Sequence, residues 1–151
     1  MTNEISELSD HLGFWLRLVS NNASASFARK LEAMDVTVAE WVMMRELYGQ
    51  QPMAPSRLAA RMGMTRGAIS KLADRLLAKR LIARTESSED GRAHTLNLTA
   101  EGRHLTPVLA RLADENDEEV FGRLSTEEQR HLRQILRALA ERRGLKHPPT
   151  A

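Results

Sequence analysis

The chain contains no cysteine in 151 residues. Disulfides, thiol-based redox sensing and a cysteine nucleophile are therefore excluded within it. Aromatic residues are only 4 % of the total, so the core must be built mainly from Leu, Ile, Val, Met and Ala. No apolar run approaches membrane-spanning length, and no membrane partner is expected. The first residues lack a basic stretch followed by an apolar one. No secretory signal is visible, and a cytoplasmic location is the expectation.

Catalytic signatures are also scarce. There is no Gly-rich phosphate loop. His11, His94, His104, His131 and His147 are scattered without metal-ligand spacing. His104 has Glu101 three residues before it, a pair that suits a helix surface better than a metal site. Ser/His/Asp combinations can be drawn from the chain, but none has a supporting motif. The expectation is a non-enzymatic protein without cofactor or metal.

What is present is an ordinary globular composition, 42 % hydrophobic, with a formal net charge of only +2. The charge is unevenly spread. Residues 53–94 carry nine Lys/Arg against four Asp/Glu, a net +5, and the remainder is net −3. Basic charge concentrated in one segment is the electrostatic footprint of a polyanion partner.

That segment reads as helix, turn, helix and hairpin. Leu58, Ala59 and Met62 share one helical face, with Pro55 as turn former, Ser56 as the expected N-cap and Gly63 as the stop. Thr65 is the N-cap of a second helix. Its residues Ile69, Leu72, Ala73, Leu76 and Leu77 follow i, i+3, i+4, i+7, i+8, one buried face. The opposite face carries Arg66, Gly67, Ser70, Lys71, Asp74 and Arg75. Short and basic side chains at its N-terminal end suit close approach to base edges and phosphates. A β-compatible run from Leu81 to Glu86 and the alternating His94 to Leu98 form a ribbon, with Leu96 and Leu98 facing in. Ser87 to Gly91 is turn-forming, with a charged tip Glu89-Asp90-Gly91-Arg92. Helix, turn, helix and a basic hairpin form the pattern by which a winged helix-turn-helix reads double-stranded DNA. The expected contact set is Ser56, Thr65, Arg66, Gly67, Ser70, Lys71, Arg75, Arg84, Asp90 and Arg92. Arg92 would grip phosphate or enter the minor groove, with Asp90 holding the turn or orienting Arg92.

The run Asp90-Gly91-Arg92 with Leu96, Leu98, Thr99 and Gly102 resembles the wing signature of the MarR family of bacterial transcription regulators. Leu58-Ala59 and Leu76 through Arg84 are similar to that family too, and length and helix order match over essentially the whole chain. One departure stands out: Arg80 occupies the position where the family usually has glycine. The helix must end there without a glycine cap, or Arg80 must adopt the left-handed conformation.

The flanks are helical. A long helix is predicted over residues 5–34, with one stripe of Leu8, Leu12, Trp15 and Val19 and another of Phe27, Leu31 and Met34. Thr37-Val38-Ala39-Glu40 matches a capping box, opening a helix with Val38, Trp41, Val42, Leu47 and Tyr48. Thr99 should cap a helix striped by Leu105, Val108, Leu109 and Leu112, kinked between Arg103 and Pro107. Residues Asp114 to Glu119 read as a solvated acidic face. Ser125 to Glu128 is a second capping box, before Leu132, Ile135, Leu136 and Leu139.

The pattern thus predicts a mainly α fold with a small β-hairpin wing, a winged helix-turn-helix flanked by terminal dimerisation helices. Its parts are an N-terminal dimerisation helix (1–34), the DNA-binding lobe (35–99), C-terminal dimerisation helices (100–146) and a disordered tail (147–151). Apolar stripes at both ends of a nearly complete lobe favour a homodimer, which would read a palindromic operator with recognition helices ~34–36 Å apart. The family resemblance implies the same dimer, and repression relieved by a small aromatic or anionic effector. His11, Trp15, Trp41 and Arg45 are the residues expected to line such a site, two for stacking and Arg45 for the anion. Two other readings share the fold: a winged-helix protein-interaction module, disfavoured by the charge asymmetry, and a small-molecule-binding protein for which DNA is secondary.

Overall fold

The computed structural model has helices α1 (Leu12–Glu32), α2 (Val38–Leu47), α3 (Pro55–Met62), α4 (Arg66–Ala78), α5 (Ala100–Phe121) and α6 (Thr126–Arg142), with a hairpin of β1 (Ile82–Glu86) and β2 (His94–Leu98) between α4 and α5. Residues 5–86 and 94–147 are described. The wing tip with Asp90 and Arg92, and residues 148–151 of the expected tail, lie outside them. The tail's first residue, His147, is described and has a defined place, taken up below.

The first helix is shorter than its periodicity suggests. Leu8–Asp10 form a separate 3₁₀ turn, because the Asp10 carboxylate accepts the Glu7 amide at 2.8 Å and His11 is extended. Continuous α-helix begins only at Leu12. The start of α3 also differs from expectation. Pro55 takes the first helical position, Ala54 the N-cap, and Ser56 lies inside the helix. Proline suits that position because it lacks the N–H that would go unpaired there. Thr37, Thr65, Thr99 and Ser125 all cap as expected, each hydroxyl accepting an amide three residues on. Pro107 sits within an unbroken α5.

Leu31, Met43, Met44, Leu58, Ile69, Leu76, Leu96 and Leu109 are fully buried in one cluster drawn from α1 to α5 and β2. The hairpin is antiparallel, with Ile82 opposite Leu98 and Glu86 opposite His94. Met53 pairs with Leu96 through two backbone bonds of 2.9 and 2.8 Å, tying the wing base to the residues before α3. Leu96 and Leu98 face in, as their alternation requires.

α1 packs along α5 through a polar bolt as well as apolar contact. The Lys30 ammonium donates to Ser26 Oγ and Asn116 Oδ1, both at 3.0 Å, and pairs with Glu119. Asn116 donates to the Ala23 carbonyl at 3.1 Å and is buried. The run from Asp114 to Glu119 is therefore not merely a solvated face. Its exposed acids flank a residue that locks two helices together. No residue of α6 is buried.

Candidate DNA-binding surface

The site grows from the way α4 is held. Leu58, Ala59 and Met62 of α3 and Ile69, Leu72, Ala73 and Leu76 of α4 are buried, which fixes the crossing of the two helices. Gly63 takes φ +63 in the turn between them, and the Met64 amide reaches back to the Ala59 carbonyl at 3.0 Å. That αL turn is open to glycine at no steric cost.

With one side of α4 buried, Arg66, Gly67, Ser70, Lys71 and Asp74 are all exposed. At 3.6 residues per turn they span an arc of roughly 140°. This is the exposed polar face that the spacing of α4 predicts. Thr65 accepts the Ala68 amide at 3.2 Å and starts the helix at the exposed end of that arc. A Cβ on Gly67 would meet nothing within 4 Å. Among the described residues no neighbour needs that position bare, so its smoothness is turned outward.

Arg84 on β1 is exposed and lies 3.7 Å from the Asp74 carboxylate. The wing base and the reading face are thus bridged by a screened ion pair, worth little to stability. Asp74 is the one acid on that arc, and Arg84 offsets its charge. Sequence spacing placed Asp74 on the face but gave no hint of this partner. Arg75 stands apart from the arc: its Nη2 donates to Thr37 Oγ1 at 3.3 Å. Ser56 is exposed at the start of α3.

The far end of α4 closes with Arg80 at φ +61. The Arg80 amide donates to the Leu77 carbonyl at 3.0 Å and the Leu81 amide to the Leu76 carbonyl at 3.1 Å. This is a Schellman turn with arginine in glycine's place. Thr99 supports it, donating its hydroxyl to the Arg80 carbonyl at 2.8 Å while capping α5. Gly102 allows α5 this close, since a Cβ there would lie 2.1 Å from the Leu81 carbonyl oxygen.

Lys79 secures the same end. Its ammonium donates to the Asp35 carbonyl at 2.6 Å and straddles the Glu40 carboxylate, 3.1 Å from Oε1 and 3.0 Å from Oε2. Glu40 is fully buried. Burial pushes its carboxyl up, but the Thr37 amide and the Lys79 ammonium outweigh that and hold it below the usual carboxylate value.

The residues expected to line an effector site divide into two groups. Trp41 meets Phe27 edge-on at 6.5 Å, and Arg45 lies over the Tyr48 ring at 5.9 Å. Trp15 stacks edge-on with Phe14 at 5.2 Å and donates to the Ser9 carbonyl. Trp15 and Phe27 are separated by twelve residues of α1, about 18 Å of helix rise. Within one chain the two tryptophans do not share a pocket. His11 does line an open groove of ≈ 380 Å³ with Phe14, Arg17 and Asn21. Arg17 is a cation there that the sequence stripe did not single out. Among the described residues no His, Asp or Glu cluster could hold a metal ion, and no helix is long and apolar enough to cross a membrane.

A second helix offered to solvent beside a paired ribbon, each seated on one core, defines a winged helix-turn-helix protein. The MarR family profile matches residues 34–93. The transcriptional regulator HosA of Escherichia coli O127:H6 is 28 % identical over 72 % of this chain and 80 % of its own. A crystal structure of a probable transcriptional regulator from Pseudomonas aeruginosa superposes with a TM-score of 0.76. It is 28 % identical and covers 88 % of this chain and 99 % of that one. Bordetella bronchiseptica BpsR, whose DNA binding is regulated by 6-hydroxynicotinic acid, shares the fold at a TM-score of 0.77 with 22 % identity. That match covers 90 % of this chain and 97 % of BpsR. The chain is thus similar, through residues 34–93 and over most of its fold, to MarR-family transcription regulators.

Proposed function

We propose that the chain is a cytoplasmic homodimeric repressor that binds a palindromic operator and is released from it by a small aromatic or anionic effector. The observation that carries the dimer is the apolar surface of the terminal helices. Leu12, Trp15, Leu16 and Val19 of α1 and Ile135, Leu136 and Leu139 of α6 are exposed. Helix α6 is amphipathic yet has no fully buried residue. A second copy laid on α1 and α6 would cover these side chains and give the C2 symmetry that a two-site operator mirrors.

In this reading Arg66, Gly67, Ser70 and Lys71 contact base edges and nearby phosphates. Thr65 and Ser56 meet the backbone at the helix starts. Arg84, Asp90 and Arg92 belong to the wing, and Arg75 supplies charge at the edge of the face. The effector reading draws support from the likeness to BpsR and from His11 and Arg17 lining one groove. A ligand that favours one spacing of the two recognition helices shifts the population away from the DNA-fitting state.

Three measurements test it. Selection of bound duplexes from a random pool should return a palindrome, and an asymmetric or absent consensus would overturn the operator reading. Sedimentation should show a dimer at micromolar concentration, and a stable, folded monomer would overturn the assembly. Titrating 6-hydroxynicotinate and benzoate into the protein–DNA complex checks the effector; release should be lost in Arg17→Ala.

A further inference from the structure

We infer that residues 142–147 form a basic arm that grips DNA phosphate beside the helix-turn-helix. This rests on the DNA-binding reading above and extends it to the other end of the chain. α6 ends at Gly144, φ +66, where the Leu145 amide donates to the Ala140 carbonyl at 2.8 Å. That turn takes the chain out of the helix. Three residues later the His147 imidazole lies against Gly63. A Cβ at residue 63 would fall 2.9 Å from His147 Cδ2 and 3.0 Å from its Cβ and Cγ. The arm therefore rests on the turn that joins α3 to α4, two residues before the N-cap of the reading helix.

Its chemistry is that of a phosphate contact. Residues 142–147 contain Arg142, Arg143 and Lys146 and no carboxylate, a net +3 that adds to the net +5 of residues 53–94. All three cations are exposed, and none is in an ion pair among the described residues. Free cations held next to the turn of a helix-turn-helix lie where a duplex backbone passes once the second helix enters the major groove. A segment evolved to cover the reading face would instead carry negative charge, in imitation of the phosphates. The arm contains no such group. Its flexible, unpaired cations suit sequence-independent contact, so it contributes affinity equally on all duplexes.

The test is a salt series on the full-length protein with Arg143→Gln/Lys146→Gln. The two ligands are a duplex selected by the wild type from a random pool and a random duplex. The log–log salt slope should fall by about two on both, and affinity at 0.1 M salt roughly ten- to sixty-fold. Arg123→Gln, at the opposite end of α6, should leave the slope unchanged. An unchanged slope in the double variant overturns the arm, as does an equal loss in Arg123→Gln. Tighter binding by the double variant would show that the segment shields the face, and also overturns it. If the wild type itself binds neither duplex, the DNA-binding reading fails along with the arm. Independently, His147→Ala should shift the Gly63 amide resonance of ¹⁵N-labelled full-length protein. An unmoved Gly63 means the arm does not dock on the turn.

Discussion

Lys79 at the end of the reading helix straddles the carboxylate of Glu40, 3.0 Å from Oε2, and Glu40 is fully buried in the second helix. The two residues are 39 apart in sequence. Glu40 already closes a capping box with Thr37, so the pair fixes the C-terminal end of α4 to the N-terminal end of α2. Lys79→Met should cost roughly 2–3 kcal/mol, because it leaves a buried carboxylate uncompensated. This lies below the usual ~3–5 kcal/mol for a fully buried pair, since the Lys79 side chain keeps 29 % exposure. Denaturant unfolding at fixed protein concentration measures it. A change below 0.5 kcal/mol, the scale of an ordinary surface substitution, would deny the pair a structural role.

The same carboxylate sets an acid limit. Its folded value is depressed, so its contribution is complete above the ordinary value of 4.5 and is lost as pH falls through the lower folded value. The stability difference between wild type and Glu40→Gln should be constant from pH 7 to about 5 and shrink below that. A difference that grows on acidification would reverse the assigned direction.

Gly67 offers a separation of fold from function. Among the described residues, nothing outside its own helix backbone lies within 4 Å of a Cβ there, and alanine is the better helix former by about 0.5–1 kcal/mol. Gly67→Ala should unfold at an equal or higher temperature and yet bind its selected duplex more weakly. Unchanged affinity would show that α4 does not approach DNA closely at this residue.

Asp74 is an acid on the face proposed to meet DNA, offset by Arg84 at 3.7 Å. Asp74→Asn removes a repulsive charge and frees Arg84. Affinity for random duplexes should rise several-fold, with the salt slope steeper by about one. The ratio of selected to random affinity should fall. Weaker binding on both duplexes would mean that Asp74 positions Arg84 rather than opposing phosphate.

Arg80 holds φ +61 without glycine's freedom. The left-handed conformation costs an L-residue roughly 1–2 kcal/mol, part of which glycine gives back as unfolded-chain entropy. Arg80→Gly should therefore stabilise by about 0.5–1 kcal/mol, a rise of ~1–4 °C in Tm for a domain of this size. A lowered Tm would show that the Arg80 side chain contributes more than the strain removes.

Much of this was legible in the residues. Thr37, Thr65, Thr99 and Ser125 announced four helix starts, because a cap is a local bond between a hydroxyl and an amide three residues away. The buried face of α4 followed from the spacing of Ile69, Leu72, Ala73 and Leu76, and the two-residue alternation of β2 put Leu96 and Leu98 inside. The exposed arc of Arg66, Gly67, Ser70 and Lys71 was legible as the complement of that face. Where local signals competed, periodicity misled. The stripe from Leu8 to Val19 runs on through residues where Asp10 captures the Glu7 amide, and Ser56 looked like a cap beside a proline that fits the first helical position.

The sequence by itself determined most of the elements, the exposed polar face of α4 and the basic charge around it. These depend on the 3.6 and 2.0 periods and on bonds spanning three or four residues. Only the tertiary structure decided which polar groups meet. Lys79 with Glu40, Arg84 with Asp74 and Lys30 with Asn116 each join residues far apart in the chain or on different elements. A charged side chain has no periodicity of its own. Its partner is chosen by how the apolar faces pack, and that packing is a property of the whole chain.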